Sequence, residues 1–252
     1  MPARFAAQIP RGGGSVVEMV SVLAVSDETV EFLWSSQVRS LGVDVILGAG
    51  DLPFAYLEYL SDQLNAPCVF VPGNHDADLS GYSNKRSGWT RAGMPAQWPG
   101  PTGAVNADGR IVTVAGLRIA GLGGSIRYNT GPQSVVRAPA ESTRSLAHLA
   151  KRLAIETSRQ SEGRGCAAHP QPPARGVGDA EDRPHRGFEC LTPLIHNLDP
   201  TVMVHGHIHP HGRTPLDLEV GRTIVLNTVG FTLMEISPPG TPPTIVRRRH
   251  GS

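Results

Sequence analysis

From Val16 onward, short apolar runs rich in β-branched residues alternate with longer stretches whose apolar residues recur at helical spacing. The first pattern fits buried strands and the second fits helices with one face on a core. Read this way, Val20 to Val25 is a strand, Glu28 to Leu41 a helix, and Val43 to Leu47 a strand. Phe54 to Leu64 is then a second helix and Cys68 to Val71 a third strand. This βαβαβ order predicts a sheet that begins parallel, with its strand ends gathered on one side.

Beyond it, Asn84 to Gly103 holds two tryptophans without periodicity and reads as a surface excursion. Arg110 to Val114 and Leu117 to Ala120 flank Ala115-Gly116 as a hairpin. Leu216 to Glu219 and Thr223 to Leu226 form a second hairpin around Val220-Gly221, so the later half reads as more antiparallel. Ala140 to Arg159 carries Leu146, Leu149, Ala150 and Leu153 on one helical face. Residues 1–15 lack a hydrophobic period and read as a loose arm, leaving 16–252 as a single domain. The Arg247-Arg248-Arg249-His250 run near the C-terminus reads as fraying in solvent.

Composition narrows this picture. The chain has 29 glycines and 22 prolines, about a fifth of its residues against roughly 12% in average usage, so many strand ends must turn sharply. Lys plus Arg number 23 and Asp plus Glu 22. That balance gives no electrostatic reason to expect a nucleic-acid or membrane partner. Cys68, Cys166 and Cys190 are far apart and form no CxxC pair, which argues against a disulfide framework or a thiolate zinc site and fits a cytoplasmic protein.

The polar residues that carry chemistry fall directly after the strands. Asp27 follows the first, Gly50-Asp51 the second, and Gly73-Asn74-His75-Asp76 the third. Loops beyond the carboxyl ends of strands are where α/β sheets bind ligands, so the three motifs converge. His205-Gly206-His207-Ile208-His209 follows a strand at Thr201 to Val204. On an extended backbone His207 and His209 share a face, as do His205 and His211, and Gly206 leaves room for a cluster. Oxygen and imidazole donors without thiolate favour Mn, Fe or Zn.

This ordered set, from Asp27 to His209, resembles the calcineurin-like metallophosphoesterase family. The stretch from Arg175-Gly176-Val177-Gly178-Asp179 to Arg186-Gly187-Phe188-Glu189 further resembles its bacterial branch related to brain-type phosphodiesterases. The resemblance implies an α/β fold, a four-layer α-β-β-α sandwich of two mixed sheets flanked by helices, with two divalent metals at the strand ends. It places Asp27 and His209 on the first metal, Asn74, His169 and His207 on the second, and Asp51 between them. His75 becomes the proton donor to the leaving oxygen, with Asp76 orienting its ring. Arg127, Arg175 and His185 are the candidates for contacting substrate. The implied activity is hydrolysis of a small phosphomonoester or phosphodiester by a metal-bridging hydroxide.

Two departures stand against the family pattern. Its Asp-x-His motif is here Asp27-Glu28-Thr29, which removes an imidazole from the first site. The approach to His169, Gly163 to Ala168, reads as containing no strand, and Gln133 to Pro172 reads as an atypical, frame-shifted segment. These features support an alternative, a catalytically degenerate member that binds metal or nucleotide as a regulatory protein. A mononuclear hydrolase of a non-phosphate ester is a third reading.

Overall fold

Side-chain alternation along the buried strands divides the core into three parts. β1 (Val20–Ser26), β2 (Val45–Gly48) and β3 (Cys68–Phe70) pair in parallel. Val22, Ala24, Val45, Leu47 and Val69 enter one core, while Leu23, Val25, Ile46, Cys68 and Phe70 enter another. A period of two distributes successive side chains to opposite faces, so each buried strand serves two packing layers. The structure, a computed structural model, describes residues 19–86, 88–126, 136–137, 165–174, 187–210, 217–237 and 241–250. The expected arm at 1–15 and helix at Ala140 to Arg159 lie outside them.

After β3 come a small antiparallel sheet of β4 (Tyr82–Lys85), β5 (Gly88–Arg91) and β6 (Met94–Pro95), then β7 (Val105–Asn106), which pairs with β3. β8 (Arg110–Val114) and β9 (Leu117–Gly121) form the expected hairpin. β10 (Ser125–Ile126) and β11 (Val136–Arg137) pair with each other. The remaining strands are β12 (Gly165–His169), β13 (Val202–His205), β14 (Leu218–Val220), β15 (Thr223–Asn227), β16 (Gly230–Ile236) and β17 (Thr244–Arg249). Two six-stranded sheets result, in the orders β17-β16-β1-β2-β3-β7 and β14-β15-β13-β12-β9-β8.

The inner faces of these sheets share one core, in which Val22, Ala24 and Leu47 meet Ile119, Cys166, Ala168, Val202 and Val204. The outer face of the first sheet packs on helix α1 (Phe54–Leu64) through Tyr56, Leu57 and Leu60, and on Leu33 and Val38. The outer face of the second packs on helix α2 (Leu191–Leu198) through Leu191, Leu194 and Ile195, against Ala167, Met203 and Val225. The expected mixed two-sheet sandwich with helices outside is what the chain forms.

Several expectations are corrected. Glu28 to Leu41 forms two 3₁₀ turns, Glu31–Trp34 and Ser36–Ser40, in place of a helix. Ser35 Oγ donates to Phe32 O at 2.7 Å and accepts from Gln37 N at 3.3 Å, local bonds that compete with an α-helical ladder. The excursion from Asn84 carries the β4–β6 sheet, on which Trp89 stacks against Trp98 with centroids 4.2 Å apart. The later half has both expected antiparallel hairpins, β8–β9 and β14–β15, but β9, β12, β13 and β15 run parallel at the centre of their sheet. The approach to His169 is itself β12, buried between β9 and β13. Cys and Ala have weak strand propensity, but their small side chains suit a strand covered on both faces. The terminal arginines belong to edge strand β17, where Arg247 lies 4.2 Å over the Phe32 ring and Arg248 pairs with Asp217.

Candidate metal centre

Because the central strands of each sheet are parallel, their carboxyl ends lie together, and the chemistry-bearing loops follow them. The loops are tied to each other before any ligand is considered. Asp27 N–H donates to Gly50 O, joining the loops after β1 and β2, and Gly206 N–H donates to Pro170 O, joining those after β12 and β13. His207 N–H donates to Asp27 Oδ2 at 2.9 Å, a link from the second sheet to the first.

The outcome is a cluster of Asp27, Asp51 and His207, whose ligand atoms lie within 4.8 Å of one another. All three have left-handed backbones, with φ of 58°, 58° and 68°. A left-handed residue reverses the course of a strand end and redirects its side chain. His207 and His209 therefore do not converge by strand alternation, because β13 ends at His205 and the kink at His207 breaks the parity. His207 joins the carboxylates, whereas the Nδ1 atom of His209 lies 2.7 Å from Glu28 Oε1.

Two glycines make room for the carboxylates. A Cβ on Gly206 would lie 2.0 Å from Asp27 Oδ2, and one on Gly73 would lie 2.3 Å from both Cγ and Oδ1 of Asp51. Asp51 Oδ1 also accepts the backbone N–H of His75 at 2.7 Å. Asp76 was expected to orient the His75 ring. The bonds it makes are different: its Oδ2 accepts Gly73 N–H at 2.7 Å and Asp51 N–H at 3.1 Å, so it fastens the second loop to the third. His75 itself is exposed, and it is its backbone N–H that meets Asp51.

Burial pushes the Asp27 carboxyl up to about 7, against the opposing hydrogen bond from His207 N–H, and the nearby Asp51 charge raises it further. Burial likewise lifts Asp76 to about 6, opposed by the bond from Gly73 N–H. Two carboxylates and an imidazole held together, with glycines cleared for them, form a donor set suited to a divalent cation. The residues fit a metal.

Asn74 is buried in the loop after β3. His169 is buried at the end of β12, edge-on to Phe188 with centroids 4.8 Å apart, and its Nδ1 is engaged by the Gln171 backbone at 2.8 to 2.9 Å. It lies outside the Asp27–Asp51–His207 cluster. Arg127, Arg175, His185 and His211 fall outside the described residues. The Glu28–His209 pair escaped the sequence reading, since nothing in the spacing of residues 181 positions apart announces it.

A two-sheet sandwich with an Asp–Asp–His cluster at its strand ends defines a metallophosphoesterase-type protein. The calcineurin-like phosphoesterase profile matches residues 26–211, and the chain belongs to that family. No curated protein sequence matches the chain. Among solved structures, TT1561 of Thermus thermophilus superposes with a TM-score of 0.57 at 15% identity, covering 89% of this chain and all of that one. GAP50, the anchor in the inner membrane complex of Plasmodium, superposes with a TM-score of 0.51 at 11% identity, covering 92% of this chain and 90% of that one. At these identities the likeness is one of fold. No helix among the described residues is long and apolar enough to cross a membrane.

Proposed function

We propose that the protein hydrolyses a small phosphomonoester or phosphodiester with the help of two divalent cations, Mn, Fe or Zn. The observation that carries this reading is the cluster of Asp27, Asp51 and His207 in a space kept open by Gly73 and Gly206. Asp27 and His209 would hold one cation and Asn74, His169 and His207 the other, with Asp51, which has two carboxylate oxygens, shared between them. Bound cations of this kind activate water and neutralise phosphate oxygens.

The remaining work falls to the chain. Asp76 fixes the loops that carry Asp51 and Gly73 through its two backbone bonds. His75, exposed in the loop whose backbone bonds Asp51, would give a proton to the leaving oxygen. Asp27 and Asp51 would supply the carboxylate oxygens that hold the cations at the strand ends.

The test is metal content per chain together with turnover of p-nitrophenyl phosphate and its bis ester in added Mn. Two metals per chain, with turnover lost in Asp51→Asn and His75→Ala, is the expected result. A fully metal-loaded protein inert on a broad phosphate panel would favour the regulatory alternative, for which Thr29 in place of an imidazole is the motivating feature.

A further inference from the structure

We propose that Glu28 is a positioning residue for the first metal site, holding His209 in the ring tautomer that offers Nε2 as a donor. The inference rests on the metal-dependent reading above.

The geometry is direct. Glu28 Oε1 lies 2.7 Å from His209 Nδ1, across 181 positions of sequence. An ionised carboxylate can only accept a hydrogen bond, so Nδ1 must carry the proton. In a neutral imidazole the lone pair then belongs to Nε2, the atom left to bind a cation. Metal-binding histidines are commonly oriented this way, by an acceptor on the nitrogen that does not face the metal.

Glu28 is not among the carboxylates gathered with His207, and its Oε1 is engaged by His209. The turn that carries it is fixed by Glu28 N–H donating to Ser26 O at 2.6 Å. Neither partner is deeply buried, with side-chain exposures of 25% for Glu28 and 41% for His209. A pair so exposed adds little to folding stability, so its consequence lies in ring orientation. It also bears on the residue after it. With Thr29 where the family carries an imidazole, His209 is the only imidazole assigned to that cation, and fixing it matters more.

The experiment uses the full chain as wild type, Glu28→Ala and Glu28→Gln. Mn and Zn binding is followed by titration calorimetry. The tautomer of His209 is read from long-range ¹H–¹⁵N correlations in the metal-free protein, assigned with His209→Gln. The wild type should show Nδ1–H. Glu28→Ala should lose that preference and weaken the first site by about 10- to 100-fold, with thermal stability unchanged. Glu28→Gln keeps an acceptor oxygen and should retain both the tautomer and most of the affinity. An unchanged tautomer and affinity in Glu28→Ala overturns the inference. Equal losses in Gln and Ala overturn it in favour of Glu28 as a direct ligand. A wild type that binds no divalent metal sinks the metal-dependent reading instead, and the tautomer spectra still decide whether Glu28 holds His209.

Discussion

Gly73→Ala tests whether the cluster is built around space rather than around side-chain identity alone. Gly73 does not adopt a left-handed backbone, so alanine is acceptable there on conformational grounds. The obstacle is steric: the new Cβ would meet Asp51 Cγ and Oδ1 at 2.3 Å and Oδ2 at 2.6 Å, where ordinary contact begins at 3.4 Å. The carboxylate must retreat by about 1 Å or the loop must open, and overpacking of this kind costs about 1–3 kcal/mol. Retreat also breaks the 2.7 Å bond that Oδ1 accepts from His75 N–H. At roughly 2–4 °C per kcal/mol for a chain of this size, Tm should fall by about 2–12 °C while the protein stays folded. Disturbing a group that merely supports a ligand weakens metal binding about 10- to 100-fold, and moving Asp51 itself should do at least as much. Gly42→Ala is the control, because its Cβ would meet nothing within 4 Å. Differential scanning calorimetry and metal analysis after dialysis give both readouts. If Gly73→Ala behaves like Gly42→Ala in both, the reasoning about the cradle is refuted.

Three further outcomes follow from the same structure. Asp76→Ala removes the acceptor for two backbone N–H groups; at about 1 kcal/mol per bond it should lower Tm by roughly 4–8 °C, with Asp76→Asn milder in the same melts. In the metal-free protein the Asp27 carboxyl sits at about 7, above its ordinary 3.8. Its contribution to stability is therefore full below about pH 4 and is lost as pH rises through about 7. Urea denaturation between pH 5 and 8 should show that decline, and Asp27→Asn should remove most of it, because the fall contributed by Asp76 is opposed by the rise from His205, whose buried ring is held down at about 4; an undiminished slope would count against burial as the cause. Burial holds the Cys68 and Cys166 thiols up at about 12 and that of Cys190 at about 11. Ellman's reagent should thus label the native protein slowly and all three thiols promptly in denaturant, and a fast native equivalent would contradict it.

The parts of the fold that could be read from sequence are those where local pattern and tertiary burial agree. Phe54–Leu64 forms a helix over the bounds its apolar spacing implies, and β1 and β3 fall within a residue of the expected runs. Reading failed where the two signals part. Val30, Leu33 and Val38 are buried at near-helical spacing, yet Ser35 diverts the backbone into 3₁₀ turns. Cys166, Ala167 and Ala168 form a strand because β9 and β13 pair with them, an influence that no window around those residues contains. In the β4–β6 sheet, Trp89 and Trp98 hold together a segment whose strands are short and partly exposed, so it has no buried face to impose a period.

The centre shows the same division at finer scale. Residue types and order singled out the loops carrying Asp27, Asp51 and His205 to His209, and the family resemblance chose His207 among those histidines. What sequence could not supply was their backbone. Three non-glycine residues at φ between 58° and 68° carry a local cost of about 1–3 kcal/mol each where the conformation is strained, and only the surrounding sandwich can hold them there. The bonds doing so are specific: Asp27 N–H to Gly50 O, Asp51 N–H to Asp76 Oδ2, and His207 N–H to Asp27 Oδ2. Each left-handed residue is thus pinned through its own amide to a different loop. The cluster is consequently a property of the two sheets together, and separating their ends by even a small shift would scatter the donors before it unfolded either sheet.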